Sequence, residues 1–152
     1  MTESKGSLAL PDDGNCAFCA YLDGSRPYTV LARDENVAVL VTREQRGVSH
    51  LLIVPVRHAP TILDLTDVEA GAIMTWLRRA ATAINVTDRR PGIAVWQNNG
   101  VAAGQAISHF HFHIAGTLPD GGTNFGSVPE LSLESTEAIA ARLKNAYPSI
   151  VR

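Results

Sequence analysis

Three β-type runs, one amphipathic helix and two further β-type runs follow one another along the 152 residues, an order that agrees with an α+β domain. Three observations carry this order of elements. Tyr28–Ala32, Asn36–Arg43 and His50–Pro55 are rich in β-branched and apolar residues. From Thr66 the apolar spacing changes to three and four. At 109–114, His-Phe-His-Phe-His-Ile alternates without a break, which sets histidines on one face of a strand and apolar residues on the other.

Taken in order, residues 1–15 read as a flexible arm ahead of one domain, with a core over 16–116 and a C-terminal loop and helix over 117–152. Arg33-Asp34-Glu35 suits a hairpin turn between the first two strands. The run Val37–Val41 is apolar throughout, as expected for a strand covered on both faces, and Pro55 marks the end of the third strand. Thr66 with Glu69 forms an S/T-x-x-E capping box. Val68, Ala72, Ile73, Trp76, Leu77, Ala80 and Ile84 make the apolar stripe of a helix ending near Asn85–Thr87, with Trp76 as a core anchor. Gly92–Gln97 is a fourth strand, and Asn98–Gln105 is a small-residue loop leading to the histidines. Ser135–Tyr147 reads as a final helix stopped by Pro148.

Composition narrows the function. A content of 45 % apolar and 18 % charged residues fits a globular chain rather than a disordered one. A net charge of −2 gives no global field for nucleic acid or an anionic membrane, so anionic ligands must be held by local groups. No secretory signal and no spanning segment is expected, and the chain reads as cytosolic.

The two cysteines, Cys16 and Cys19, form a Cys-x-x-Cys that is either half of a metal site or two incidental thiols. A metal site requires two more ligands, for which histidine is the natural source. On a strand, His109, His111 and His113 would stand roughly 6.6 Å apart in succession. Packed side by side they must be neutral, metal-bound or used in chemistry. Two uses stay open: a His₃ metal site, which a single strand serves poorly at its third position, and nucleophilic attack by an imidazole on a phosphoryl-type group.

The pattern resembles the histidine triad nucleotide-binding family. His109-Phe-His111-Phe-His113-Ile-Ala is similar to its His-φ-His-φ-His-φ-φ signature, and Cys16-Ala-Phe-Cys19 to its N-terminal cysteine pair. His50-Leu-Leu-Ile-Val-Pro-Val-Arg-His58 and Asn98-Asn-Gly-Val-Ala-Ala-Gly104-Gln105 resemble two further family segments, in family order. The resemblance implies a five-stranded antiparallel sheet with a long helix packed across it and a C-terminal helix. It implies a two-fold homodimer and a nucleotide ligand, a purine nucleoside phosphate in the first instance. His111 would be the nucleophile at the α-phosphate, forming a nucleotidyl-histidine intermediate. His113, Asn98, Gly104, Gln105 and Ala106 would surround the phosphate, with Thr42 beside the ribose. Cys16, Cys19, His58 and His109 would hold a structural zinc, and no organic cofactor is implied. His50 is read as a supporting or purely structural residue.

Two positions depart from the family pattern. Thr42 stands where an acidic or amide residue is usual, and Ala106 replaces a small hydroxyl residue. These departures support a rival reading, a non-catalytic nucleotide sensor or interaction module that keeps the fold and pocket.

Overall fold

The computed structural model describes residues 8–151. Strands β1 (Val30–Arg33), β2 (Val37–Val41), β3 (Val48–Pro55), β4 (Ile93–Trp96) and β5 (Phe112–Gly116) form one sheet in the order β1-β2-β3-β5-β4. Every neighbouring pair is antiparallel. The first hairpin is closed by Asp34, whose carboxylate accepts the N–H groups of Asn36 and Val37 at 2.8 and 2.9 Å. As its continuous apolar run implies, β2 is buried along its whole length. Its Val37, Val39 and Val41 belong to the large core beneath the helices, while Ala38 and Leu40 pack with Phe18 on the opposite face.

Helix α2 (Asp67–Asp88) lies across the first of these faces. The capping box is formed: Thr66 Oγ1 accepts from Glu69 N–H at 3.1 Å, and the Glu69 carboxylate accepts from Thr66 N–H at 2.9 Å. Glu69 also receives the Arg57 guanidinium through two bonds of 2.8 and 3.0 Å, which ties the helix start to the end of β3. Ile73, Trp76, Leu77, Ala80 and Ile84 are buried, and the Trp76 indole N–H reaches Asp34 at 2.9 Å. Val68 is not part of the buried stripe, being 69 % exposed. It precedes the partly buried Ala72 by one turn, at the edge of the face rather than its centre. The helix runs to Asp88, one residue beyond the expected end.

Three further features go beyond the sequence reading. Of the N-terminal arm, residues 1–7 lie outside the described ones, and residues 8–15 make contacts with the rest of the domain although most of them are exposed. Leu10 is buried, Ala9 O accepts from Val101 N–H at 2.8 Å, and Ser108 donates to Pro11 O and Asp13. Next, Cys16 caps a short helix α1 (Ala17–Asp23), which the sequence did not announce. Helix α3 (Leu133–Ala146) begins two residues early, capped by Ser132.

The histidine strand is also shorter than its alternation suggested, because regular pairing starts at Phe112. Ahead of it, Phe110 N–H donates to Ala59 O at 2.7 Å and the His109 ring is bound to Pro55 O, which takes both residues out of the ladder. The parity survives. Phe110, Phe112 and Ile114 face the core under α2, with the two phenyl rings edge to face at 5.4 Å. Across the sheet, β3 carries a bulge where Ser49 adopts φ 53°, immediately before His50. Among the described residues no helix is long and apolar enough to cross a membrane.

Phe110 is fully buried between sheet and helix. Phe110→Ala is expected to destabilise the fold by about 3–5 kcal/mol, read from the urea midpoint.

Candidate active site and metal centre

Helix α1, the turn after β3 and the approach to β5 bring Cys16, Cys19, His58 and His109 together. Their four donor atoms lie within 4.8 Å of one another. A tetrahedral ion bound at roughly 2.3 Å by sulfur and 2.1 Å by nitrogen holds S and N about 3.6 Å apart and two nitrogens about 3.4 Å apart. Here the Cys16 and Cys19 sulfurs lie 3.3 and 3.6 Å from His109 Nδ1, and Cys19 Sγ lies 3.4 Å from His58 Nδ1. The two Nδ1 atoms are 3.3 Å apart. The donor set fits a metal ion. His109 Nε2–H donates to Pro55 O at 2.8 Å, so Nδ1 keeps its lone pair for the metal. Burial and the neighbouring Cys16 push the Cys19 thiol up to about 12, so a thiolate there needs the charge of a cation.

On the same face of the sheet a cavity of about 360 Å³ opens over β2, β3, β4 and β5. Its floor holds Thr42, His50, Leu52, Trp96, His111 and His113. One end is aromatic and apolar, with Phe18, Tyr21 and Tyr28 beside Leu52 and Ile107. Phe18 packs edge-on against the His111 ring at 5.0 Å, and Tyr21 stacks on Tyr28 at 3.8 Å.

Hydrogen bonding fixes the tautomers of the histidines. Burial lowers His111 below its ordinary range, and its Nδ1–H donates to His109 O at 2.7 Å, leaving the Nε2 lone pair free. Arg46 N–H donates to His50 Nδ1 at 3.0 Å, so the neutral His50 ring carries its proton on Nε2. That proton is given to His113 Nδ1, also at 3.0 Å, which leaves His113 protonated on Nε2. Burial, with His111, His50 and Arg46 nearby, holds His113 far below its ordinary value and therefore neutral. Trp96 lies flat on His113, with the rings 4.8 Å apart and within 2° of parallel. One imidazole thus offers a lone pair and its neighbour, 4.9 Å away between ring centres, offers an N–H.

The loop before the triad is shaped by Gly100 and Gly104, with φ 88° and 89°. Asn98 lines the cavity and donates to Ala103 O at 2.8 Å. Gln105 lines the cavity and also braces the loop. Its side chain accepts from Gly100 N–H at 2.7 Å and donates to Pro60 O and Ile107 O, so it holds the loop's shape. The N–H groups of Ala106 and Ile107 make no hydrogen bond among the described residues and lie in cavity-lining positions. Thr42 lines the cavity too, its hydroxyl accepting from Glu44 N–H at 3.2 Å. Glu44 and Arg46, the cavity's lining carboxylate and guanidinium, were missed in the sequence, because the chain after β2 carries no regular pattern. Trp96 and Phe125 were missed as well; the pairing of Trp96 with His113 is a matter of sheet register.

A family model described as the HIT domain matches residues 23–119. The chain belongs to the HIT family. Its similarity to "Protein hit" of Bacillus subtilis is 29 % identity over 141 residues, 87 % of this chain and 97 % of that protein. An adenosine 5'-monophosphoramidase of Schizosaccharomyces pombe is 29 % identical over 100 residues, 66 % of this chain and 72 % of that one. Among solved structures, a HIT-like protein of Bartonella henselae superposes with a TM-score of 0.80 at 22 % identity, covering 88 % of this chain and 97 % of that one. A zinc-bound histidine triad protein of Mycobacterium smegmatis gives 0.73 at 24 % identity, covering 89 % and 97 %. The HIT family includes nucleotide hydrolases, and the HIT fold expected from the sequence is the one observed.

The neutral HIT-site histidines carry a pH signature. Burial, with Arg46 and His111 nearby, pushes His50 down to about 4. An unfolded histidine titrates near 6.5, roughly, so in between the unfolded chain binds more protons than the folded one. Stability is therefore expected to fall as pH is lowered through this window. A urea midpoint lower at pH 5 than at pH 7, with a smaller drop in His50→Gln, checks this.

Proposed function

We propose that this protein is a zinc-stabilised nucleotidyl hydrolase or transferase acting at the α-phosphate of a nucleoside phosphoramidate or dinucleoside polyphosphate. The observation that carries the reading is the tautomer pair, a His111 Nε2 lone pair beside a His113 Nε2–H in one cavity. The family's nucleotide hydrolases, the S. pombe phosphoramidase among them, support the same class.

In the first step His111 Nε2 attacks the α-phosphorus. An N–P bond forms while the bond from phosphorus to the leaving oxygen or nitrogen breaks; the leaving group departs with the electron pair, and a leaving nitrogen takes up a proton to go as the amine, a proton that the attacking water returns in the second step. The bond from His111 Nδ1–H to His109 O stabilises the positive charge that the ring acquires. His113 Nε2–H, Asn98 and the N–H groups of Ala106 and Ile107 face the developing charge on the phosphate oxygens. Gln105 and Gly104 act by holding that loop. Water then attacks phosphorus, the N–P bond breaks, and the electron pair returns to Nε2 as the nucleoside monophosphate leaves.

The aromatic end of the cavity suits a purine, with Phe18 and Tyr21 against its face and Thr42 and Glu44 beside the ribose. Cys16, Cys19, His58 and His109 would hold zinc in a closed Cys₂His₂ site, where it supplies structural cross-linking. Pairing as a two-fold dimer in the cytoplasm belongs to the same reading.

His111→Ala is expected to reduce turnover of a panel of nucleoside phosphoramidates and dinucleoside polyphosphates to background. Activity equal to wild type would remove His111 as nucleophile. Cys16→Ser is expected to lose zinc by elemental analysis and to lower the melting temperature. Because His109 also holds His111, kcat should fall with it; unchanged metal content points instead to a His₃ site.

A further inference from the structure

Two non-glycine residues among the described ones hold a positive φ, Ser49 at 53° and Arg89 at 50°. Both adjoin Asp88: Arg89 follows it at the end of α2, and Ser49 is bonded to it from β3. At such a φ the Cβ crowds the backbone, so the conformation persists only where surrounding bonds hold it. For Ser49 those bonds are short. Its hydroxyl donates to Asp88 Oδ2 at 2.6 Å and accepts from Arg142 Nη2 at 2.7 Å. Arg142 also donates to Asp88 Oδ1 at 3.0 Å, which closes a network between β3, α2 and α3. Asp88 is the last residue of α2, where the helix dipole disfavours a carboxylate. The stability of α2 therefore gives no reason for an acid at this position, and the network gives one.

The residue after Ser49 points the other way. Successive strand residues face opposite sides of a sheet, and His50 stands in the cavity while the Ser49 hydroxyl meets α2 and α3. Both fall in the register shift between Val48 and Leu51, where regular pairing with β5 does not hold them. His50 is held locally instead. Gln45 Oε1 accepts from His50 N–H and Gln45 Nε2 donates to His50 O, each at 2.9 Å. The backbone angles at Ser49 then set where His50 begins and where its ring is aimed. That ring donates to His113 Nδ1 at 3.0 Å.

We propose that Ser49 is a positioning residue: Asp88 and Arg142 anchor its hydroxyl on one face of the sheet, and this holds the His50–His113 bond on the other. Without the anchor, residue 49 relaxes to a negative φ and the His50 ring leaves His113 Nδ1. The proton of His113 is then free to move from Nε2 to Nδ1, and the ring presents a lone pair to the cavity in place of an N–H. The placement of this proton does not depend on any substrate. Its effect on turnover rests on the nucleotidyl-transfer reading above.

The test locates the proton of His113 by 15N NMR of the full-length protein, since protonated and bare ring nitrogens give separate resonances. Ser49→Ala and Asp88→Ala are expected to replace the single Nε2–H form by an exchanging mixture of both tautomers. Ser49→Gly should keep the wild-type signal, because glycine adopts a positive φ without an anchor. For the same reason the double variant Ser49→Gly/Asp88→Ala should recover it. In Ser49→Ala and Asp88→Ala, kcat for adenosine 5'-phosphoramidate is expected to fall about tenfold, with KM within about twofold of wild type. A His113 signal unchanged in both variants overturns the inference even where the melting temperature falls, because Gln45 alone then holds His50. Failure of Ser49→Gly to recover the signal in the double variant overturns it too. Should Ser49→Ala not fold, Asp88→Ala and the double variant decide. If wild type turns over no nucleotide, the nucleotidyl-transfer reading fails, and the His113 signal still decides the role of Ser49.

Discussion

One residue, His109, is used three times, and both sites depend on it. Its Nδ1 faces the two cysteines and His58, its Nε2–H is bound to Pro55 O, and its own carbonyl accepts the Nδ1–H of His111. It is fully buried, so none of these bonds is exchanged with water. The carbonyl that selects the tautomer of His111 is therefore held in place by the metal ligands and the end of β3. The Cys₂His₂ cluster that fits a metal ion and the proposed nucleophile inside the cavity are thereby joined through one residue. The same constraint explains why regular pairing of β5 begins only at Phe112.

The sheet separates packing from chemistry by parity. Phe110 and Ile114 are buried under α2, an arrangement favoured by removing large apolar area from water. The opposite face holds imidazoles whose burial acts against charge. With every ring neutral, the location of each single proton is decided by hydrogen-bond partners, and two of those partners are backbone groups, His109 O and Arg46 N–H. Backbone positions are set by the fold as a whole, which makes the division between lone pair and N–H a property of the architecture. The bulge at Ser49 belongs to it, since it lies directly before His50, and its hydroxyl is anchored on Asp88 and Arg142.

Local signals were legible in the sequence, and long-range ones were not. The capping box of Thr66 and Glu69 and the core anchor Trp76 depend on near neighbours and formed as read, and the triad kept its parity although regular pairing begins only at Phe112. Helix α1 escaped because it has seven residues and is capped by a thiol, which gives no periodic signal. Leu10 escaped because its burial depends on the Gly100–Ala103 turn, about ninety residues away in sequence. Gln105 could be placed beside the phosphate loop by pattern, but its bonds to Gly100, Pro60 and Ile107 could not be read from the chain. Arg46 and Phe125 meet only through the loop after β5, which carries no pattern of its own.

The two departures from the family pattern acquire a physical meaning in the cavity. At Ala106 the lost hydroxyl leaves the backbone N–H groups of Ala106 and Ile107 in place, and these are the donors that no side-chain change removes. At Thr42 the hydroxyl is occupied by Glu44 N–H, while the carboxylate of Glu44 itself lines the cavity. Glu44 stands two residues beyond Thr42, past the end of β2. The carboxylate of Glu44 lies 3.4 Å from the Arg46 guanidinium.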